Sequence, residues 1–307
     1  MSCVAGFFQR VVKWWRPLAV VVAFLCGSCV TQRAADLLTV PRRAADGEHW
    51  ETETKLSPKR FSVVSADGVV LSAYELDPLP GTKKRGTAYL LHGFGNSKEQ
   101  MLPVAKRLSS SGFRCVAWDS RGHGKSGGDR ATYGTREVDD ALRVIRTGRK
   151  LDHGSKGTEV IWAYSMGTAV ALQALPQLPE VKAAVLLAPM ADLGGVIYHQ
   201  ARRRYHGALT PLVPVVRASV RSDAGFDPRA IRPIDSVKRT RCKLLLIHGD
   251  QDGTIPLDQS ARILDACAPG QGKRVVLKGV GHGGVMWGLP EQTREEAVRF
   301  LEAGASR

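Results

Sequence analysis

Ser165 lies between a strand-like run and a helix-like run, a position from which a hydroxyl can act as a nucleophile. The apolar segment Val160–Trp162 leads into Ala-Tyr-Ser-Met-Gly at 163–167, and a helix-like run follows. A sharp strand-to-helix turn would hold the hydroxyl clear of the sheet, facing the positive end of the helix. The usual pattern is Gly-x-Ser-x-Gly, and Ala163 replaces its first glycine. An ordinary strand–turn–helix junction gives the same pentapeptide, so the neighbouring motifs must decide.

A serine hydroxyl needs a base to remove its proton and an acid to orient that base. Two later strand-like runs end in such residues. Lys243–Ile247 leads into a loop with Asp250 and Asp252, and Arg274–Leu277 leads into a glycine-rich turn around His282. In this architecture the expected chain order is serine, acid, histidine. The sequence therefore predicts a Ser–Asp–His set with either aspartate as the acid.

The elements that must position these residues alternate along the chain. Phe61–Ser65 and Val69–Glu75 flank Asp67-Gly68, which is a hairpin signal. Further strands are expected at 87–91, 114–118, 160–162, 183–188, 243–248 and 274–278, and helices at 101–111, 137–149, 258–268 and 291–302. This alternation predicts an α/β fold with a mostly parallel central sheet and helices on both faces. In such sheets the chemistry collects on loops beyond the carboxyl ends of the strands.

Five motifs in this order resemble the α/β-hydrolase fold family, in particular its serine esterases and monoacylglycerol-lipase-like (serine aminopeptidase S33-like) members. They are H-G-F-G at 92–95, D-S-R-G-H-G-K-S-G at 119–127, A-Y-S-M-G at 163–167, H-G-D-Q-D-G-T-I-P at 248–256 and G-H-G at 281–283. The similarity runs from about Phe61 to the C-terminus. Each motif alone is weak evidence, whereas their joint order is specific.

The resemblance implies a role for each matching residue. Ser165 would be the nucleophile, Asp252 the acid and His282 the base, with Asp250 as the alternative acid. The oxyanion of acyl transfer needs two fixed N–H donors. The backbone of Met166, directly after the serine, should supply one of them.

The resemblance points to the backbone of Phe94 for the second donor, which leaves its side chain free to line the acyl pocket. His92 and His248 each end a strand before a glycine and are expected to be structural. No metal or organic cofactor is implied.

The implied activity is that of a serine hydrolase, a carboxylesterase or lipase-like enzyme that cleaves lipid-like or small acyl esters through an acyl-enzyme. Three alternatives stay open. The same catalytic residues serve acyltransferases and peptidases, and Ala163 is compatible with a catalytically silent binding module.

Residues 1–28 are predicted to be a signal peptide of the bacterial lipoprotein type. Arg10, Lys13 and Arg16 precede the apolar run Leu18–Leu25, which is short for a membrane span. A cysteine directly after Gly-Ser resembles a lipidation site, with Cys29 as the first mature residue. The sequence departs from the usual lipoprotein signal at position 26, which holds a cysteine where that signal usually has leucine.

This interpretation predicts a membrane-anchored lipoprotein of the cell envelope, associated with the membrane through its N-terminus. A cleaved secretory signal, giving a secreted or periplasmic protein, and an uncleaved inner-membrane anchor are the alternatives. Residues 29–58 are polar without a sustained period and are interpreted as a linker. The α/β-hydrolase domain would then occupy 59–307, with a cap insertion at about 189–241.

The cap segment mixes an apolar stretch, Leu209–Val216, with arginines at 202–204, 217 and 221. An amphipathic cap would bury its apolar face over the acyl pocket and turn the arginines to solvent. A sharper alternative is that Arg202–Arg204 bind anionic lipid headgroups.

The net charge and the cysteine spacing indicate which partners and which kinds of site are expected. The formal net charge is +15, but the basic residues are scattered and no aromatic–basic pattern for stacking bases is present, so no nucleic-acid partner is expected. Cys115, Cys242 and Cys267 lack framework or zinc-site spacing and are interpreted as buried thiols.

The stretch at 122–127 satisfies G-x-G-x-x-G, but the loop continues where a dinucleotide site would open a helix. The phosphate-loop pattern fails as well, because Asp119 stands where its first glycine is needed. The stretch is interpreted as support for the active-site rim, with Asp119 and Arg121 in an ion pair.

Overall fold

The chain forms an eight-stranded, mostly parallel sheet with helices on both faces, which confirms the predicted α/β class. The computed structural model describes residues 31–43, 48–152, 157–204 and 210–305. The strands are β1 (Lys59–Val64), β2 (Val70–Leu76), β3 (Gly86–Leu91), β4 (Phe113–Trp118), β5 (Thr158–Tyr164), β6 (Val181–Leu187), β7 (Lys243–Gly249) and β8 (Gly272–Leu277). The helices are α1 (residues 31–39), α2 (Glu48–Thr54), α3 (Leu102–Ser110), α4 (Glu137–Leu151), α5 (Met166–Ala174), α6 (Leu193–Arg204), α7 (Val213–Ala224), α8 (Ile234–Val237), α9 (Asp258–Ala266), α10 (Gly284–Trp287) and α11 (Glu291–Ala305).

The strand order is β1-β2-β4-β3-β5-β6-β7-β8. The two pairs made by β2 are antiparallel and all other pairs are parallel. The predicted hairpin turn joins β1 to β2, with Gly68 at φ 81°. The register aligns Tyr164 with Leu187, Leu187 with Ile247 and Gly249 with Leu277, so β5 to β8 end along one edge. The loops after these strands therefore meet at that edge.

Each face of the sheet has its own apolar core, because alternate residues of a strand point to opposite faces. On one face Val116 and Ile161 pack in a cluster with Ile145 of α4. On the other face Trp162 packs in a cluster with Leu108 of α3. Full burial of one such side chain contributes about 1.5–3 kcal/mol to stability. The two cores make the sheet a rigid platform for the loops at its edge.

The segment interpreted as a linker is folded onto the domain in its described part. Residues 31–39 and Glu48–Thr54 are helical. Ala35 and Thr39 are fully buried, and the ring of Trp50 stacks on Trp287 with centroids 5.4 Å apart. The linker prediction failed because these helices are too short to show a sustained apolar period, and their burial comes from tertiary contacts.

The predicted ion pair between Asp119 and Arg121 is wrong. Asp119 is fully buried and accepts hydrogen bonds from the Lys98 ammonium (2.6 Å) and the Lys98 backbone N–H (2.7 Å). Arg121 instead pairs with Asp140 (2.8 Å) and Asp67 (2.9 Å). Both residues lie in the loop after β4, where strand alternation no longer fixes the direction of side chains, and each finds its partners on other elements.

The region predicted as a cap contains α6, a short 3₁₀ turn (Thr210–Leu212), α7 and α8. Arg202 and Arg203 of α6 are exposed. Leu212, Val213 and Val216 line a cavity described below. Residues 205–209 lie outside the described part of the chain.

The predicted signal peptide and Cys29 also lie outside the described residues. Within the described ranges, no helix combines the length and apolar character needed to cross a bilayer. Cys115 and Cys242 are buried and Cys267 is half-buried, all three as free thiols, and burial raises the pKa of each thiol.

Replacing Lys98 with methionine should lower the free energy of unfolding by about 3–5 kcal/mol, because Asp119 would stay buried without its counter-charge. Methionine keeps the apolar stem, so the change in packing is small. Urea unfolding followed by circular dichroism measures the loss. Lys106→Met, on the exposed side of α3, is the control and should change stability by less than about 0.5 kcal/mol. Equal stability of the two variants would contradict the importance of the buried pair.

Candidate active site

Ser165 lies on the turn between β5 and α5, as the strand–serine–helix pattern predicts. Its backbone has φ 52° and ψ −119°, a region that costs a non-glycine residue on the order of 1–3 kcal/mol. Three hydrogen bonds hold this turn: Ser165 N–H donates to Leu187 O (2.9 Å), and Ser165 O accepts from the Thr168 hydroxyl (2.6 Å) and the Thr168 N–H (2.9 Å). The serine side chain is thereby fixed at the carboxyl end of β5.

The residues two positions before and after the serine are small because α5 packs closely on the sheet. A Cβ at Gly167 would lie 2.6 Å from Leu91 O and 2.7 Å from His92 O, so a side chain there would force the helix away from β3. Ala163 is fully buried in the same apolar cluster as Leu91 and Val170. The cluster accommodates its methyl group, and the departure from the usual glycine leaves the turn intact.

The structure brings His282 against Ser165 and Asp252. His282 Nε2 lies 2.9 Å from Ser165 Oγ, and His282 Nδ1 lies 2.7 Å from Asp252 Oδ2. Because an ionised carboxylate can only accept, Nδ1 carries the proton and Nε2 is left to accept from the serine hydroxyl. The Tyr164 hydroxyl donates to His282 O (3.2 Å), which ties the loop after β8 to β5.

Asp252, rather than Asp250, faces the imidazole. Burial would raise the pKa of Asp252, but hydrogen bonds from His248 and His282 outweigh burial and hold the pKa well below its usual value. Its other oxygen, Oδ1, accepts from the N–H groups of Thr254 (2.8 Å) and Ile255 (2.9 Å). The carboxylate is therefore ionised and fixed. Asp250 Oδ1 accepts from Gly279 N–H (2.7 Å) and joins the loops after β7 and β8.

A second histidine, His248, also contacts Asp252, and the sequence analysis missed this contact. His248 is fully buried, with Nε2 at 3.1 Å from Ile255 O and 3.3 Å from Asp252 Oδ2. The carbonyl requires Nε2 to be the protonated nitrogen. The signal available in the sequence was the spacing of four between His248 and Asp252 around a tight turn.

His92 is placed as a structural residue, as expected. Its ring is buried, Nδ1 lies 2.7 Å from Gly93 O, and Nε2 accepts from Ser120 N–H (3.0 Å). Burial lowers the pKa of His92 to about 4, so the ring is neutral at physiological pH. With both nitrogens bound to backbone groups, His92 fixes the start of the loop that leads to Phe94.

The two residues expected to donate backbone N–H groups, Met166 and Phe94, line the same cavity as Ser165. Met166 is the first residue of α5, and the first N–H groups of a helix have no intrahelical acceptor. The loop of Phe94 comes close as well, since a Cβ at Gly93 would lie 3.2 Å from Ser165 Cβ. The Phe94 ring stacks on Tyr133 with centroids 6.0 Å apart.

Ser165 opens into a cavity of about 590 Å³, which we call the Ser165 cavity. Its walls are mainly apolar and include Phe94, Met166, Met190, Leu193, Val196, Ile197, Leu212, Val213, Val216 and Ile255. The cap helices α6 and α7 therefore cover it with apolar side chains. A larger cavity of about 840 Å³ lies beside the Trp50–Trp287 stack and contains none of Ser165, Asp252 and His282.

Helix α1 forms a further wall of the Ser165 cavity, which the linker interpretation did not anticipate. Thr31, Ala34, Leu37 and Leu38 line the cavity together with Ser165. The sequence offered a weak signal, since Ala34, Leu37 and Leu38 repeat at helical spacing.

The arrangement can activate a hydroxyl and hold an apolar chain beside it. His282 is placed to take the proton from Ser165, and the ionised Asp252 is placed to stabilise the imidazolium that results. In the described ranges, no group of three or more His, Cys, Asp or Glu side chains is arranged to hold a metal ion.

The region around Ser165 matches a known family. The family model described as "Serine aminopeptidase, S33" matches residues 82–232. The monoacylglycerol lipase of Mycolicibacterium smegmatis is 27% identical over 244 residues, which cover 69% of this chain and 86% of that protein. The lysophosphatidylserine lipase ABHD12 of Bos taurus is 26% identical over 204 residues, which cover 60% of this chain and 46% of that protein.

The fold has solved relatives as well. The Pyrococcus furiosus esterase Pf2001 superimposes with a TM-score of 0.68 at 23% identity, covering 86% of this chain and 98% of that one. Likeness at this identity concerns the fold alone. The chain therefore has the α/β-hydrolase fold, and the proteins that it resembles include esterases and lipases.

Proposed function

We propose that this protein is a serine hydrolase that cleaves carboxylic esters through an acyl-enzyme, with Ser165 as nucleophile, His282 as base and Asp252 as acid. The observation that carries the proposal is the chain of two hydrogen bonds: 2.9 Å from Ser165 Oγ to His282 Nε2, and 2.7 Å from His282 Nδ1 to Asp252 Oδ2. The esterase- and lipase-like relatives support the same activity.

In the first half-reaction Ser165 Oγ attacks the ester carbonyl while His282 Nε2 takes the hydroxyl proton. Asp252 stabilises the imidazolium, and by accepting a hydrogen bond from Nδ1 it keeps a proton on that nitrogen. The tetrahedral intermediate then collapses, and the same proton passes from Nε2 to the leaving alcohol. This leaves an acyl group on Ser165. A water molecule, activated by His282, releases the acid in the second half-reaction and restores the serine.

The oxyanion of each tetrahedral intermediate would be stabilised by the backbone N–H groups of Met166 and Phe94. Two fixed donors in a site partly closed to water are worth far more than the same donors in solution. The free N-terminus of α5 adds its partial positive charge at the same place.

The Ser165 cavity favours an acyl chain over a polar acyl group. Its walls are mainly apolar, and its volume of about 590 Å³ falls within the range of drug-sized ligand sites. The proposed substrates are therefore lipid-like esters with a medium or long acyl chain. A peptidase reaction uses the same groups, and the matched family is described as serine aminopeptidases. Parallel assays with p-nitrophenyl esters of increasing chain length and amino-acid arylamides separate the two, because a preference for arylamides would overturn the ester proposal.

The proposed location is the cell envelope, where the protein would be held as a lipoprotein through Cys29. This proposal rests on the sequence of the N-terminal segment, with its basic start, short apolar run and Gly-Ser-Cys. Several acyl chains on one N-terminus would anchor the protein firmly, at about 0.8 kcal/mol for each buried CH₂.

A fluorophosphonate probe should label Ser165, because the activated hydroxyl attacks the phosphorus as it would an ester carbonyl. Ser165→Ala should not be labelled and should lose ester turnover by a factor on the order of 10⁶. Peptide mass spectrometry of the labelled protein identifies the modified residue. Folded protein that takes up no probe, or a Ser165→Ala variant that is labelled equally, would rule out this nucleophile.

Asp252→Asn should lower turnover by a factor on the order of 10⁴, because the amide can donate to Nδ1 and so stabilise the wrong tautomer of His282. Asp250→Asn is the matched control. Asp250 lies two residues from Asp252 on the same loop and accepts a hydrogen bond from Gly279. The turnover of the Asp250→Asn variant should therefore stay within about threefold of wild type. Steady-state kinetics with p-nitrophenyl butyrate compare the two. A larger loss of turnover in Asp250→Asn than in Asp252→Asn would identify Asp250 as the acid.

The mature N-terminus should begin at residue 29 and carry an added diacylglyceryl mass in intact-protein mass spectrometry. Cys29→Ser should abolish this mass and leave the precursor unprocessed at this site, because the thiol is the attachment point. Cys26→Ser is the matched control and should still be lipidated. An unmodified N-terminus at residue 1, or cleavage elsewhere, would contradict the lipoprotein assignment.

A further inference from the structure

Helix α1 joins the Ser165 cavity to the N-terminus of the chain. Thr31, the first described residue, lines this cavity, as do Ala34 and Leu38 further along the helix. The helix lies outside residues 82–232, the part matched by the family model. The wall that it forms is therefore a feature of this chain's own N-terminal segment.

The helix is fixed to the domain by several hydrogen bonds. Asp36 pairs with Arg130 (3.0 Å), and the Tyr133 hydroxyl donates to Leu38 O (2.8 Å). Ala131 N–H donates to Thr39 O (2.7 Å). After the helix, the Arg43 guanidinium donates to the carbonyls of residues 124, 126 and 128 at 2.6–2.9 Å. These contacts hold α1 to the 124–133 loop, so the helix and the domain move together.

The connection between α1 and the apolar N-terminal run is very short. Cys29 precedes Thr31 by two residues, and Leu25, the end of the apolar run, precedes it by six. A fully extended chain spans at most about 3.5 Å per residue, so these lengths cannot exceed roughly 7 Å and 20 Å. Any lipid on Cys29, or an apolar run held in a bilayer, must therefore lie close to the cavity wall.

The surface around this wall has the composition of a lipid-facing surface. Leu37 lines the cavity and is 60% exposed, and Val40, one turn further on, is 40% exposed. Exposed arginines accompany them: Arg33 on α1, and Arg202 and Arg203 on α6. A Cβ at Gly253 would lie 2.6 Å from Arg203 Nε, so this arginine lies over the loop that carries Asp252. Exposed apolar side chains accompanied by arginines complement an anionic bilayer.

We propose that α1 docks the mouth of the Ser165 cavity on an anionic lipid bilayer, and that its short connection to the N-terminal segment holds it there. The cavity would then receive long-chain acyl esters from the bilayer. The substrate part rests on the proposed ester hydrolysis, whereas the docking part stands on α1 and the tether alone. The two parts have separate readouts.

The experiment lengthens the tether in the full chain. Twenty Gly/Ser residues inserted between Val30 and Thr31 form a coil with an end-to-end distance of about 25 Å. The protein is reconstituted in phosphatidylglycerol vesicles. Turnover of 4-methylumbelliferyl palmitate in the vesicles should fall on the order of tenfold, because the effective concentration of the cavity at the surface drops with tether length. Turnover of soluble 4-methylumbelliferyl butyrate should stay unchanged. The same insertion after Gly81, an exposed turn, is the matched control and should change neither rate.

A second readout does not depend on activity. Val40→Cys carrying a nitrobenzoxadiazole fluorophore should be quenched by doxyl-labelled lipid in the vesicles, and the inserted linker should relieve the quenching. Unchanged palmitate turnover and unchanged quenching after lengthening would overturn the docking proposal while ester hydrolysis stands. Quenching without turnover of either ester would overturn ester hydrolysis while the docking stands.

Discussion

The backbone conformation of Ser165 is the constraint on which the candidate site depends. A φ of 52° at a non-glycine residue is unfavourable, and the turn persists because the surrounding structure determines it on both sides. The serine N–H extends the ladder from β5 to β6, and α5 packs so closely on β3 that only glycine fits at position 167. Both contacts belong to the core of the sheet. The cost of holding the hydroxyl outward is therefore met by the packing of the whole domain.

The register of the sheet brings Asp252 and His282 close to Ser165. Because β5 to β8 end along one edge, the loops after β7 and β8 need only a few residues to bring Asp252 and His282 to the serine. A hydrogen bond from Gly279 to Asp250 joins the two loops, and one from the Tyr164 hydroxyl to His282 O ties the loop after β8 to β5. Both bonds lie within three residues of Ser165, Asp252 or His282, so the geometry at Ser165 is coupled to the strand ends.

The sequence predicted the sheet and the residues that meet at its edge, because both leave local patterns. Apolar runs between glycine-rich turns identify strands, and a serine between small residues identifies a sharp turn. Partners from distant elements leave no such pattern. Lys98 and Asp119 are separated in the chain by α3 and β4, and their pairing depends on burial that appears only after folding. The packing of α1 on the Ser165 cavity was missed for the same reason. His248 and Asp252 are only four residues apart, and their contact was missed because it depends on the shape of the turn between them.

Comparison with relatives concerns the sheet more than the wall of the Ser165 cavity. The antiparallel first pair, the strand order and the turn at Ser165 are features of the fold, and the Pyrococcus furiosus esterase shares that fold over 86% of this chain. Under the proposed ester hydrolysis, acyl-chain and head-group preference would be set by the residues that line the Ser165 cavity. Here these are α6 and α7 together with α1, which precedes the matched family region. Since α1 is continuous with the N-terminal segment, the proposed anchor and one wall of the proposed acyl site belong to a single stretch of the chain.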